Sequence, residues 1–184
     1  MESKILLLLI IVPVIGSGIL LCIPKEKIQQ IKITGLWIGG INLVLSQYLW
    51  IFFDENSERF QYKTKFLGWR ETWVTELGVD GISIYFILLT TLLIPLCLLI
   101  SWKSIKHLVK EYILCFLIME SALIIVFSVL DLVLFYVFFE TILIPMFLVI
   151  GIWGSRTRKI RAAYQFFLYT LLGSILMLLA LISR

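Results

Sequence analysis

The sequence has one histidine, three cysteines and only 15% charged residues among its 184. It has no glycine-rich phosphate loop, no G-x-G-x-x-G turn and no cluster of histidines or cysteines. These absences exclude the usual nucleotide, dinucleotide and metal chemistry of soluble enzymes, so no metal site is expected. Cys22, Cys97 and Cys115 are odd in number and far apart, in or beside apolar runs. They read as small buried hydrophobes rather than as a disulfide framework. His107 stands in a basic loop beside Lys106 and reads as a solvated side chain. The most consequential absence is positive charge within the apolar runs, none of which holds a lysine or arginine past Lys4 at the very start of the first.

What is present is hydrophobic. Apolar residues make up 61% of the chain, where soluble domains are about half apolar and about a quarter charged. The expected fold class is all-α, a polytopic membrane helix bundle with six transmembrane helices in a single domain over 1–184. The apolar runs cover about 4–23, 33–53, 82–101, 112–129, 132–150 and 163–183. Each is long enough to cross about 30 Å of hydrocarbon as a helix. The stretch 112–150 is interrupted only by Asp131, and a single helix of that length would reach about 58 Å, twice the membrane. Two spans joined at Val129-Leu130-Asp131 fit better. The first run contains Pro13 and ends without a small-residue cleavage site, so it reads as a retained span rather than a signal peptide.

The 54–80 loop is the only sizeable extramembrane piece. Arg59 to Phe66 alternates with period two, which predicts a strand or hairpin on the membrane surface, and Trp69 and Trp73 are placed as interfacial anchors. The loops at 24–32, 102–111 and 151–162 hold ten basic residues, against six on the other side, four of which share the 54–80 loop with acidic residues. The positive-inside rule puts the ten on the side of synthesis and both termini on the opposite side. Because the charge lies in short loops it reads as topology, and no nucleic-acid partner is expected.

Chemistry inside the membrane would fall to Glu120 and Glu140, with Asp131 at the turn between their helices. Each glutamate is the ninth residue of its run, so antiparallel neighbours bring both near mid-depth. An acidic residue there costs about 3 kcal/mol on insertion scales, while the fourteen Leu, Ile, Val and Phe residues of the fifth run return about 6 kcal/mol. The helix still inserts, but its carboxylate must be protonated, wetted or paired with a cation from elsewhere. Such groups commonly serve proton relays, and the bland alternative is a protonated glutamate that only hydrogen-bonds a neighbouring helix. Pro145 frees the Thr141 carbonyl beside Glu140, which favours proton transfer there, and Pro95 does the same to Thr91. In the last run Gln165, Tyr169 and Gly173 recur every four residues, either as a helix-packing stripe or as a hydroxyl-lined path.

The stretches GVDGISIYFILLTTLLIP, LDLVLFYVFFETILIPMFLVIGIWG and RKIRAAYQFFLYTLLGS resemble the chain 4 family of mitochondrial NADH:ubiquinone oxidoreductase, the proton-pumping respiratory complex I, in its plant, algal or protist style. The resemblance runs from about residue 35 to the end. It implies the first part of an antiporter-like inverted repeat in the mitochondrial inner membrane, with termini toward the intermembrane space. Glu140 then matches the fifth-helix glutamate of proton translocation, Glu120 the acidic residue one helix earlier, and Asp131 the intervening aspartate. The resemblance places NADH, FMN, iron–sulfur clusters and ubiquinone in other subunits and no cofactor in this chain. Other membrane-arm subunits and lipids such as cardiolipin are the implied partners. Family members continue through fourteen helices, including the next-helix lysine that works with the glutamate. This sequence ends at Leu181-Ile182-Ser183-Arg184. The expectation is a split subunit completed by a second polypeptide, with a truncated product as the alternative. Two competing functions are a structural remnant that scaffolds without pumping and a subunit of a related cation/proton antiporter.

Overall fold

A computed structural model describes residues 4–53, 56, 61–66, 75–154 and 157–183. Six helices run in order: α1 (Ile5–Cys22), α2 (Ile28–Ile51), α3 (Ser83–Ile100), α4 (Val109–Ser128), α5 (Leu132–Trp153) and α6 (Lys159–Ile182). Between α2 and α3 lies an antiparallel pair, β1 (Gln61–Phe66) and β2 (Thr75–Val79). Five of the helices are long and apolar enough to cross a membrane. The sixth, α2, has the length but is more polar, with Gln29, Gln30, Lys32, Asn42 and Gln47 along it. Trp69 and Trp73 fall outside the described residues, as do most of the acidic residues of the 54–80 loop.

Helices α1 to α4 pack as a bundle in which α2 touches α1, α3 and α4. Small residues on one face of α2 make this close approach work. A Cβ on Gly35 would come within 2.6 Å of Ile113 on α4, and one on Gly39 within 3.0 Å of the Pro95 ring on α3. The same face continues through Asn42, Ser46 and Leu49, all fully buried. The opposite face exposes Trp37, Ile41, Val44 and Tyr48, as expected of a helix whose outer solvent is lipid.

Two apolar clusters fill the bundle. One, at the end nearest the strands, joins Leu6, Leu9, Leu49, Ile84, Ile87 and Ile124, with Leu77 and Val79 of β2 sealing it. The other, at the opposite end, joins Leu20, Ile31, Ile38, Ile94, Ile113 and Leu117. Beyond this bundle α5 packs on α4 and α6 on α5, with Phe147 set against Tyr164 and Phe167 at ring separations of 5.2 and 5.3 Å. Only Leu143 and Pro145 of α5, and Ala163 and Ser174 of α6, are fully buried.

The basic residues gather at the second end and serve helix termini. Lys110 donates to the carbonyls of Leu21 and Ile23 just at and beyond the end of α1, and Lys159 donates to Ile152 near the end of α5. These cations meet the negative ends of the helix dipoles. Several helices begin inside the basic loops, so Lys32, Lys110, Lys159 and Arg161 belong to helices but sit in their first two turns. Mid-helix positions stay free of positive charge.

Two aspartates start helices at the other end. Asp80 accepts from the backbone N–H of Ile82 and Ser83, and Asp131 accepts from that of Val133. The Ser83 N–H above all holds the Asp80 carboxyl below the usual carboxylate range. A lowered folded value stabilises the protein above the ordinary carboxylate value, and the contribution fades as pH falls through the folded one. Asp80→Ala and Asp131→Ala are each expected to cost about 1 kcal/mol of stability at neutral pH. Thermal unfolding in mild detergent measures this, and for Asp80→Ala the difference from the parent should shrink in acid.

Candidate functional site

Counting along the helices from the strand-side end brings polar groups to one level. Asn42 lies nine residues before Ile51, Thr91 eight after Ser83, Glu120 eight before Ser128, Glu140 eight after Leu132 and Ser174 eight before Ile182. At about 1.5 Å per residue this level is about 12 Å into the helices, close to the middle of a bilayer. It also falls between the two apolar clusters, which close it off toward both ends of the bundle.

Glu120 is completely buried and faces α2, where Asn42 Nδ2 donates to its Oε1 at 3.0 Å. One turn along α2, Ser46 and Thr91 share a hydroxyl hydrogen bond of 2.7 Å, and Thr91 also reaches the carbonyls of Ile87 and Leu88. Ser121, beside Glu120, donates to the Ile10 carbonyl of α1. Glu140 is half-buried on α5, and the Tyr136 phenol one turn earlier interacts with its carboxyl. Thr141 turns its hydroxyl back to the Val137 carbonyl at 2.8 Å, and Pro145 is buried inside an otherwise continuous helix.

Among the described residues, three buried side-chain oxygens have no hydrogen-bond partner: Asn42 Oδ1, Glu120 Oε2 and Glu140 Oε1. All three lie at the mid-depth level. A buried acceptor without a donor costs about 1–3 kcal/mol, so this level is where the chain is most in need of protons or hydroxyl donors.

The other expected site residues lie elsewhere. Asp131 caps α5 at the strand-side end, far from mid-depth. Tyr169 is 83% exposed on the outer face of α6, and Gln165 and Gly173 share that face. The stripe therefore packs against no other described helix of this chain, because α6 meets α5 through its opposite side. Asn42 went unrecognised in the sequence, as did the Ser46–Thr91 pair. The available signal was periodicity: Gly35, Gly39, Asn42 and Ser46 repeat at three- and four-residue spacing in a run too polar for a lipid-facing helix.

A family model described as "NADH:quinone oxidoreductase/Mrp antiporter, TM" matches residues 129–183. The chain is 55% identical over 180 residues to NADH-ubiquinone oxidoreductase chain 4 of Chondrus crispus, covering 97% of this chain and 36% of that protein. It is 54% identical over 176 residues to the chain 4 of Arabidopsis thaliana, covering 95% of this chain and 35% of that one. Its fold superposes on a chain of respiratory complex I from Thermus thermophilus with a TM-score of 0.77 and 28% identity, covering 99% of this chain and 35% of that one. The chain thus spans about a third of the length of these relatives. It is a homologue of the N-terminal part of NADH-ubiquinone oxidoreductase chain 4, built on the antiporter-like helical fold of complex I.

Proposed function

We propose that this chain is part of the proton-translocating membrane machinery of a respiratory NADH:ubiquinone oxidoreductase, with Glu140 as its central proton-transfer group and Glu120 as a second one. The observation that carries the reading is the set of donorless oxygens on Glu120, Asn42 and Glu140 at one membrane depth. A merely structural glutamate would gain stability from complete pairing. Groups that bind and release protons need unpaired acceptors, and membrane carboxylates of this kind line such paths. The donor that completes the site lies outside the described residues, a cation approaching Glu140 on the side where few residues of α5 and α6 are buried. Redox cofactors belong to other subunits.

The decisive experiment measures coupled proton translocation by the intact assembly after carboxyl-to-amide replacement. Glu120→Gln is expected to weaken pumping less than Glu140→Gln, because no proline opens its helix. Parental pumping by both variants would leave the scaffold reading standing.

Orientation follows from the basic end. Lys25, Lys110, Arg158 and Arg161 face the mitochondrial matrix, while the termini and the 54–80 loop face the intermembrane space. Labelling of Arg158 or Arg161 by a membrane-impermeant reagent from the intermembrane side would overturn this topology. The open faces of α5 and α6 lead to a further expectation. The chain should leave the membrane only within a much larger assembly, and a stable monodisperse monomer of 21.3 kDa in mild detergent would refute it.

A further inference from the structure

Asn42 and Glu120 are both completely buried, joined by one hydrogen bond, and each keeps one oxygen without a donor. The chemistry of the two groups is complementary. A primary amide offers an N–H donor beside a carbonyl acceptor, and a protonated carboxyl offers a carbonyl acceptor beside an O–H donor. The first half of such a pair is in place, with Nδ2 donating to Oε1 at 3.0 Å.

We propose that Asn42 is the positioning residue of Glu120, holding its protonated carboxyl in a two-point amide–acid pair in which the O–H on Oε2 donates to Asn42 Oδ1. One proton then satisfies both donorless oxygens of the bundle interior. When that proton leaves Oε2 for an acceptor elsewhere, Oε2 and Oδ1 become two facing acceptors and only the N–H bond remains. The carboxylate is then released to turn toward another donor, so the pair distinguishes the loaded from the unloaded state.

The surroundings suit this role. Gly35, set against Ile113, brings α2 close enough for a short side chain to reach α4. Ser46 and Thr91 are occupied with each other and with their own helix carbonyls, so they do not compete for Glu120. The inference deepens the proton-transfer reading and rests on it for its purpose, but its test does not.

Infrared difference spectra of the intact assembly at neutral pH should contain a protonated-carboxyl band that disappears in Glu120→Gln. In Asn42→Leu, of similar volume but without amide, that band should move to higher wavenumber, because the carbonyl has lost its hydrogen bonds. Should Asn42→Leu not assemble, Asn42→Thr, which keeps a hydroxyl but no carbonyl, should move the band as well. Adding Asn42→Leu to Glu120→Gln should change pumping no further. Absence of a Glu120-dependent band, or a band at the same position whatever occupies residue 42, overturns the pair and leaves the proton-transfer reading intact. Normal pumping by Glu120→Gln would instead strike the proton-transfer role of that residue.

Discussion

Glu140→Gln is expected to leave the assembly intact and to suppress coupled proton translocation by about 100-fold, the low end of what a positioned acid–base group contributes. The substitution keeps the shape of the side chain and its ability to hydrogen-bond, and it removes only the titrating proton. Stability should therefore change little. Glu140 is only half-buried, so an amide there retains contact with Tyr136 and with whatever donor approaches its open side. Two measurements on the same membranes decide the matter. The amount of assembled complex should match the parent, and the proton flux per turnover should collapse. If flux and assembly both match the parent, Glu140 is a packing residue. If assembly fails, the glutamate holds helices together and the scaffold reading gains.

Much of this architecture was legible in the residue order, and the reasons are physical. Apolar runs of about 20 residues have few folds open to them, since backbone polar groups in lipid must be satisfied within the helix. The bundle class and the turn residues Val129 to Asp131 between α4 and α5 follow from length alone. The alternation from Arg59 to Phe66 likewise announced the strand found at Gln61–Phe66. The mid-depth placement of Glu120 and Glu140 needed only antiparallel counting. The partner of Glu120 was a different problem. Asn42 is 78 residues away in sequence, and nothing local to α4 indicates which of its four neighbouring helices its carboxyl faces. That choice depends on how closely α2 approaches, which is decided by glycines whose importance shows only once Ile113 and Pro95 are opposite them. The stripe on α6 shows the converse limit. Gln165, Tyr169 and Gly173 form a clear periodic face, yet periodicity cannot say whether the surface it meets belongs to the same polypeptide.

The packing of α2 yields the other large effect, a contrast between two glycines five residues apart. Gly35→Leu is expected to abolish assembly, while Gly40→Ala is expected to be neutral or slightly stabilising. At Gly35 even the Cβ would come within 2.6 Å of the Ile113 γ-methyl, and Ile113 is itself buried in the cluster with Leu20, Ile38 and Leu117. Neither side chain has room to move, so α2 and α4 must separate. Overpacking of this kind costs about 1–3 kcal/mol for a few added methylenes, and here it would also pull Asn42 away from Glu120 two turns on. Breaking that bond leaves a buried donor and a further buried acceptor unsatisfied, so the losses compound. At Gly40 a Cβ meets nothing within 4 Å, because the position opens onto the lipid-facing side with Trp37 and Ile41. Alanine there removes the helix penalty of glycine, worth about 0.5–1 kcal/mol. Assembled complex in membranes and its thermal stability in mild detergent should therefore change in opposite directions. Equal tolerance at both positions would mean that α2 does not approach α4 closely, and the burial of Asn42 against Glu120 would fall with it.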